Sequence, residues 1–244
     1  MPIRDRWIDS RGVRLHALES VPEATATQIP LLVIPGVFGT AEDYRDEMTR
    51  LQPRPCLAVS LRGRGRSDVP AGGYRLEDHL ADIAATMADW GHARVAIMGY
   101  AIGGAYATAY ALGAPAKIAG LIIGDYPARY RALPEKWVAS ALKSMGERAR
   151  PEVARALQAE SAQLSMWERL GELSCPVAVL YGAQAGSMVT AEVIAQYREH
   201  LPAVEMLILE NNGHELWKPD FDSYLDAIAN FLTRIDAKSA STKS

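Results

Sequence analysis

The chain has 244 residues, 49% of them hydrophobic and 23% charged, with a formal net charge of −3. That balance carries no basic field for nucleic acid and no polybasic tract for anionic lipid. The length suits a single α/β domain, which can bury roughly 70–75% of its unfolded surface.

The amino terminus, MPIRDRWIDSRG, is charged and lacks the apolar stretch of a signal peptide, which sets a cytoplasmic expectation. Residues 6–9 and 13–19 read as short strands around Ser10-Arg11-Gly12, a hairpin signal. A polar loop over 22–28 leads to Leu31-Leu32-Val33-Ile34, a continuous apolar run typical of a strand covered on both faces. It breaks at Pro35-Gly36-Val37-Phe38-Gly39. Thr40, with Asp43 three residues on, then reads as a capped helix start, and Tyr44, Met48 and Leu51 mark that helix's buried side. A strand over 56–60 is followed by Leu61-Arg62-Gly63-Arg64-Gly65-Arg66-Ser67-Asp68. This loop lacks the lysine-serine/threonine ending of a phosphate loop, so it reads as a turn braced by arginine–aspartate pairing. Leu76, Leu80, Ile83, Met87 and Trp90 step along one face of a helix that ends at Gly91.

Val95-Ala96-Ile97-Met98-Gly99-Tyr100-Ala101-Ile102-Gly103-Gly104 predicts a buried strand, a sharp turn and a small-residue helix over 105–112. Glycines 99 and 103 leave no Cβ where strand and helix crowd together. This is the strand–turn–helix setting in which G-x-S-x-G forms a nucleophile elbow, yet position 101 is alanine. The charge-free run from 95 to 116 is interrupted by four glycines and Pro115, which makes it a poor membrane span.

A strand over 118–123 ends in Gly124-Asp125-Tyr126-Pro127. From there to Ser174 no strand is expected, only helical segments near 135–149, 151–164 and 166–173. A strand over 177–181, a helix over 190–200 and a last strand over 206–209 follow. Phe221, Tyr224, Leu225, Ile228, Phe231 and Leu232 form the face of a closing helix. The pattern implies an α/β fold with a mostly parallel central sheet and helices on both faces. Its expected core is 1–127 and 175–236, with a small helical cap over 128–174 and a disordered polar tail over 237–244. Cys56 and Cys175, the only cysteines, read as buried free thiols.

Four features in this order resemble the α/β-hydrolase superfamily: the 35–39 loop, the 62–68 loop, the elbow, and Asn212-Gly213-His214-Glu215 after the last strand. The resemblance implies an α/β-hydrolase fold over residues 6 to 235 and a triad in the order elbow, acid, histidine. It makes His214 the general base and gives the N–H groups of Val37 and Ile102 to an oxyanion. The loop over 182–187, where the acid often stands, has no carboxylate, which leaves Asp125 after the preceding strand. Ala101 has no hydroxyl, so no acyl-enzyme can form on it.

The function expected is hydrolysis of a carboxylic ester or lactone by a Ser-His-Asp-type mechanism, in a form inactivated at Ala101. Two alternatives stay open. One is a natural lyase or cofactor-free oxygenase using His214 and Asp125; the other is a non-catalytic small-molecule binder. Dehalogenases and epoxide hydrolases of this fold resemble the chain less, because they attack with an aspartate at the elbow. No cofactor is expected, and no metal, since no histidine pair has convincing zinc-ligand spacing. Trp137, Leu142, Met145, Leu164, Met166 and Trp167, with Phe38 and Trp217 from the loops, point to a small apolar or aromatic ester or lactone as partner. No nucleic-acid or membrane partner is expected, and the sequence leaves the oligomeric state open.

Overall fold

The computed structural model describes residues 2–21 and 27–241. Its main sheet uses β1 (Ile3–Ser10), β2 (Val13–Ser20), β3 (Leu31–Ile34), β4 (Cys56–Ser60), β5 (Val95–Tyr100) and β6 (Ile118–Gly124). After a two-residue pair, β7 (Arg129–Tyr130) and β8 (Leu164–Ser165), it resumes with β9 (Val177–Gly182) and β10 (Glu205–Leu209). The order across the sheet is β1-β2-β4-β3-β5-β6-β9-β10. β2 runs antiparallel to β1 and β4, and every later pairing in this sheet is parallel.

Successive residues on the central strands enter different cores, as the two-residue period of a strand requires. Leu32, Leu57, Val59, Ile97 and Val179 join one cluster with Ile83 and Met87 of α2 (Leu76–Trp90), Tyr106 of α3 (Ile102–Gly113) and Tyr197 of α6 (Ala191–His200). Leu31, Val33, Ala58, Met98 and Leu180 join the other, with Met48 of α1 (Arg45–Arg50) and Phe231 of α7 (Phe221–Ser241). A strand buried on both faces has no polar alternation, which is why these runs are apolar throughout.

The chain leaves β3 for β4 on one side and then returns to β5 on the other. Strand order therefore reverses between β3 and β5, the switch point at which open α/β sheets bind ligands. The loops after β3 and β5, carrying Val37 and Ala101, are thereby brought to one crevice. Between β6 and β9, α4 (Glu135–Met145) and α5 (Pro151–Glu160) pack on each other, with Phe38 and Tyr74 sharing their cluster.

Four details differ from the sequence reading. The helix after Thr40 begins as a single 3-10 turn, with the Thr40 N–H donating to Asp43 Oδ2 at 2.9 Å. The arginine loop is braced from outside itself: Arg62 pairs with buried Asp82 of α2 at 2.6 Å, while Asp68 accepts the Arg14 N–H. The stretch expected to lack strands contains β7 and β8, too short for any periodic signal, and Trp167–Glu172 is 3-10 helix. Finally, α7 continues to Ser241 through part of the expected tail. Ala237 and Lys238 are exposed, and alanine and lysine propagate a helix without needing an apolar face. Residues 242–244 and most of the polar loop at 22–28 lie outside the described residues. Among the described residues, no helix is long and apolar enough to cross a membrane, and both cysteines are free.

Candidate active site

The elbow is tight because two backbones cross. A Cβ on Gly99 would come within 2.1 Å of the Gly103 carbonyl oxygen, and one on Gly103 within 2.4 Å of the Ile34 and Pro35 oxygens. Between them Ala101 is held at φ 51°, ψ −128°. A positive φ is uncommon for a residue with a side chain and costs about 1–3 kcal/mol. The turn is fixed from both sides: the Ala101 N–H donates to Gly124 O and the Gly104 N–H to Ala101 O, each at 2.8 Å. Ile102 is the first residue of α3, so its N–H has no acceptor within the helix.

Val37 lies in the neighbouring loop, and its carbonyl is held from outside. Arg64 Nε donates to Val37 O at 2.8 Å, and Arg64 Nη1 to Arg62 O at 2.6 Å. The arginine-rich loop thus sets the pose of the 35–39 loop, a role that its sequence did not disclose.

Asp125 follows β6, is fully buried, and also sits at positive φ, 48°. Its N–H donates to Leu180 O at 2.8 Å, which ties the turn to β9. Asp125 Oδ2 lies 2.7 Å from His214 Nδ1 and accepts the Met188 N–H at 3.0 Å. Asp125 Oδ1 accepts the Ser187 hydroxyl at 2.5 Å. The loop after β9, which has no carboxylate of its own, therefore supplies two donors to the carboxylate of the strand before it. Ser187 and Met188 were missed at the sequence level, where a single serine in a small-residue loop carries no signal.

His214 is steadied from a second direction. The Tyr100 hydroxyl donates to His214 O at 2.9 Å, its ring lies 5.3 Å from the imidazole, and the Trp217 ring stands 5.0 Å from Tyr100. Burial, with Asp125 nearby, pushes the Tyr100 phenol up, so it stays a neutral donor. Glu215, the nearest acidic neighbour in sequence, pairs with Lys218 instead. With Nδ1 against Asp125, Nε2 is the nitrogen left for chemistry in the cleft.

Ala101, His214 and Val37 line one cleft of about 680 Å³, with Phe38, Tyr100 and Trp217 as apolar wall. Met145 and Arg148 face it from the end of α4 and the turn after it. Glu47 of α1 also lines it; burial pushes its carboxyl up to about 7, with a hydrogen bond from Tyr224 working the other way. Trp137 stacks on Phe38 at 6.0 Å. Met166 and Trp167 do not reach this cleft: both join the core, where the Trp167 ring meets Tyr197 edge-on at 4.7 Å. Leu164 is 42% exposed. The apolar residues between β6 and β9 thus divide between cleft, packing and surface. Among the described residues, no group of three His, Cys, Asp or Glu side chains is placed to hold a metal ion.

A family model for the alpha/beta hydrolase fold matches residues 29–171, more than half of the chain. Haloalkane dehalogenase 2 of Mycobacterium tuberculosis, and the same protein of Mycobacterium bovis, are 29% identical over 126 residues. That match takes in 51% of this chain but 42% of theirs, so the chain spans less than half the length of these curated relatives. Among solved structures, the enol-lactonase from Burkholderia xenovorans superposes with a TM-score of 0.78 at 17% identity, over 93% of this chain and 100% of that one. A haloalkane dehalogenase loop variant from Bradyrhizobium elkanii superposes with a TM-score of 0.77, also at 17% identity, over 99% of this chain and 100% of that one. At such identities these likenesses speak to the fold.

Proposed function

The chain belongs to the α/β-hydrolase fold family, and from that premise we propose that its site is built for Ser-His-Asp-type hydrolysis of a carboxylic ester or lactone, with Ala101 in the nucleophile's place. A serine at 101 would hand its proton to His214 Nε2 as it attacked the substrate carbonyl. Nδ1–H donating to Asp125 keeps the imidazole in the one tautomer that can accept that proton, and the carboxylate stabilises the imidazolium that results. The N–H groups of Val37 and Ile102 would take the developing oxyanion. Donors already oriented when charge appears are worth about 10²–10³ each in rate. Alanine leaves the first step without an attacker, and loss of the serine in a comparable triad lowers turnover by roughly 10⁶.

One observation carries this reading: Asp125 is buried, held by three donors, and aligned behind His214. A site that only bound small molecules would have no use for a carboxylate so placed. The test is Ala101→Ser. It should label covalently with a fluorophosphonate and hydrolyse short p-nitrophenyl esters, orders of magnitude faster than the unaltered chain. A folded serine variant that neither labels nor hydrolyses any ester or lactone overturns the proposal. The curated relatives supply a parallel arm: halide release from a haloalkane by Ala101→Asp, with a silent serine variant, would move the reading to an aspartate nucleophile.

A further inference from the structure

The unaltered chain keeps every part of the proposed hydrolytic site except the attacker. Asp125 is fully buried, accepts hydrogen bonds from Ser187 Oγ and the Met188 N–H, and lies 2.7 Å from His214 Nδ1. That arrangement sets the tautomer of the imidazole whether or not a hydroxyl stands at 101. Nε2 is left as a base with no hydroxyl at the elbow to take a proton from. The His214 side chain is 36% exposed, so a ligand in the cleft can reach it.

The donors for a developing oxyanion persist as well. Ala101 is held at φ 51° although it has no side-chain oxygen to present. What the strained turn still does is aim the first residue of α3. Among the described residues, neither the Ile102 N–H nor the Val37 N–H is spent on a backbone carbonyl. Ala101, Val37 and His214 line one cleft of about 680 Å³, walled by Phe38, Trp217 and Met145. That volume suits a small organic ligand.

A base that faces preset N–H donors, with no nucleophile between, is the constellation for abstracting a proton next to a carbonyl. The same donors that hold a tetrahedral oxyanion hold an enolate. An attacking water would need roughly two to four polar partners, and at the elbow Ala101 offers it a methyl group. A C–H bond needs only the base.

We propose that the chain as it stands is a proton-transfer catalyst: His214 Nε2 removes a proton from the carbon beside a carbonyl, and the Val37 and Ile102 N–H groups hold the enolate oxygen. The C–H electron pair becomes the new C=C bond, and the carbonyl π pair moves onto oxygen. Asp125 stabilises the imidazolium, which returns a proton to the same carbon as the carbonyl reforms. The ligand is a ketone or ester whose α-carbon also carries an aromatic or carbonyl group, the substituent that acidifies such a C–H. The proposal shares the dyad and the oxyanion donors with the hydrolase reading but not the attacker, so different measurements decide the two.

Proton exchange can be read on the unaltered chain in deuterium oxide, by loss of the α-proton NMR signal of β-tetralone and phenylacetone. At least one of them should exchange about a hundredfold or more faster than in protein-free buffer. His214→Gln should return that rate to the buffer level, and Asp125→Asn should lower it at least about tenfold. Ala101→Ser should lower it severalfold, because the new hydroxyl donates to Nε2 and occupies the lone pair that takes the proton. Melting temperature checks that each variant folds; if His214→Gln does not, Asp125→Asn decides. No acceleration over buffer with either ketone, or an acceleration that survives in the folded variant, overturns the proposal. Exchange by the unaltered chain beside an Ala101→Ser variant that hydrolyses nothing would retain proton transfer and remove the hydrolase. Ester hydrolysis by Ala101→Ser with no exchange in the unaltered chain would do the reverse.

Discussion

Ser187 Oγ donates to Asp125 Oδ1 at 2.5 Å, on the oxygen opposite the one that faces His214. The two residues are 62 apart in sequence and come from loops after neighbouring strands, β6 and β9. One loop thus supplies the proposed acid and the other its orientation. In the Ala101→Ser background, Asp125→Asn should lower turnover at least about a hundredfold, because the imidazole then loses its tautomer control. Ser187→Ala removes one donor of three. A typical hydrogen bond contributes about 1 kcal/mol, so the loss should be roughly fivefold. Turnover of an activated ester, with melting temperature as the check on folding, separates the two. Equal losses would mean that the serine does more than orient the carboxylate.

The strain at the elbow can be read without any activity. Ala101 sits at φ 51°, a conformation glycine adopts freely. Ala101→Gly should therefore stabilise the chain by up to about 1 kcal/mol, the relief of strain outweighing the greater freedom of glycine in the unfolded state. The midpoint of urea unfolding should rise with an unchanged slope. A lowered midpoint would mean that the methyl group packs well enough to offset its strained backbone.

Both parts of the elbow were legible in the chain because steric rules act locally: the Gly99 and Gly103 pattern and the apolar run before it announce a strand–turn–helix wherever they occur. The central strands were legible for the same reason, though their apolar runs could not say which residue enters which core. What escaped was contact made at a distance. Nothing about Ser187 marks a partner for Asp125, and nothing about Arg64 marks a brace for the Val37 carbonyl. Trp167 and Met145 are equally apolar in sequence, yet one packs on Tyr197 and the other lines the cleft.

That last contrast gives a third prediction. Trp167→Ala should destabilise the fold by about 3–5 kcal/mol, the usual cost of emptying a large aromatic site. If the serine variant is active, it should leave the substrate ranking alone. Met145→Ala should cost less stability and reorder the ranking, because its side chain lines the cleft and is only partly buried against the α4–α5 cluster. Unfolding curves beside relative kcat/KM on three or more esters provide the check. A Met145 variant that loses equally on every substrate would place that side chain in packing instead.

Glu47 carries the pH dependence. It is 6% exposed, lines the cleft, and its carboxyl is pushed up to about 7, first by burial. In the unfolded chain the same group titrates near its ordinary 4.5. Below 4.5 both states hold the proton, and Glu47 adds no pH dependence. From about 4.5 to 7 the folded state keeps a proton that the unfolded state has released, so stability falls as pH rises. Above about 7 the folded chain buries the charge, and the loss is complete. A shift of this size corresponds to about 3 kcal/mol. Glu47→Gln holds a neutral group of the same shape at every pH. It should match the unaltered chain at acid pH and exceed it by up to about 3 kcal/mol at alkaline pH. Titrating groups remote from Glu47 contribute equally to both chains and drop out of the difference, which then reports Glu47 together with its neighbours Asp46 and Asp43. Chemical unfolding of the two proteins across the acid-to-alkaline range measures that difference directly. A difference that stays flat with pH would mean that water or a counter-charge already reaches Glu47, and that this end of the cleft is wet when it is empty.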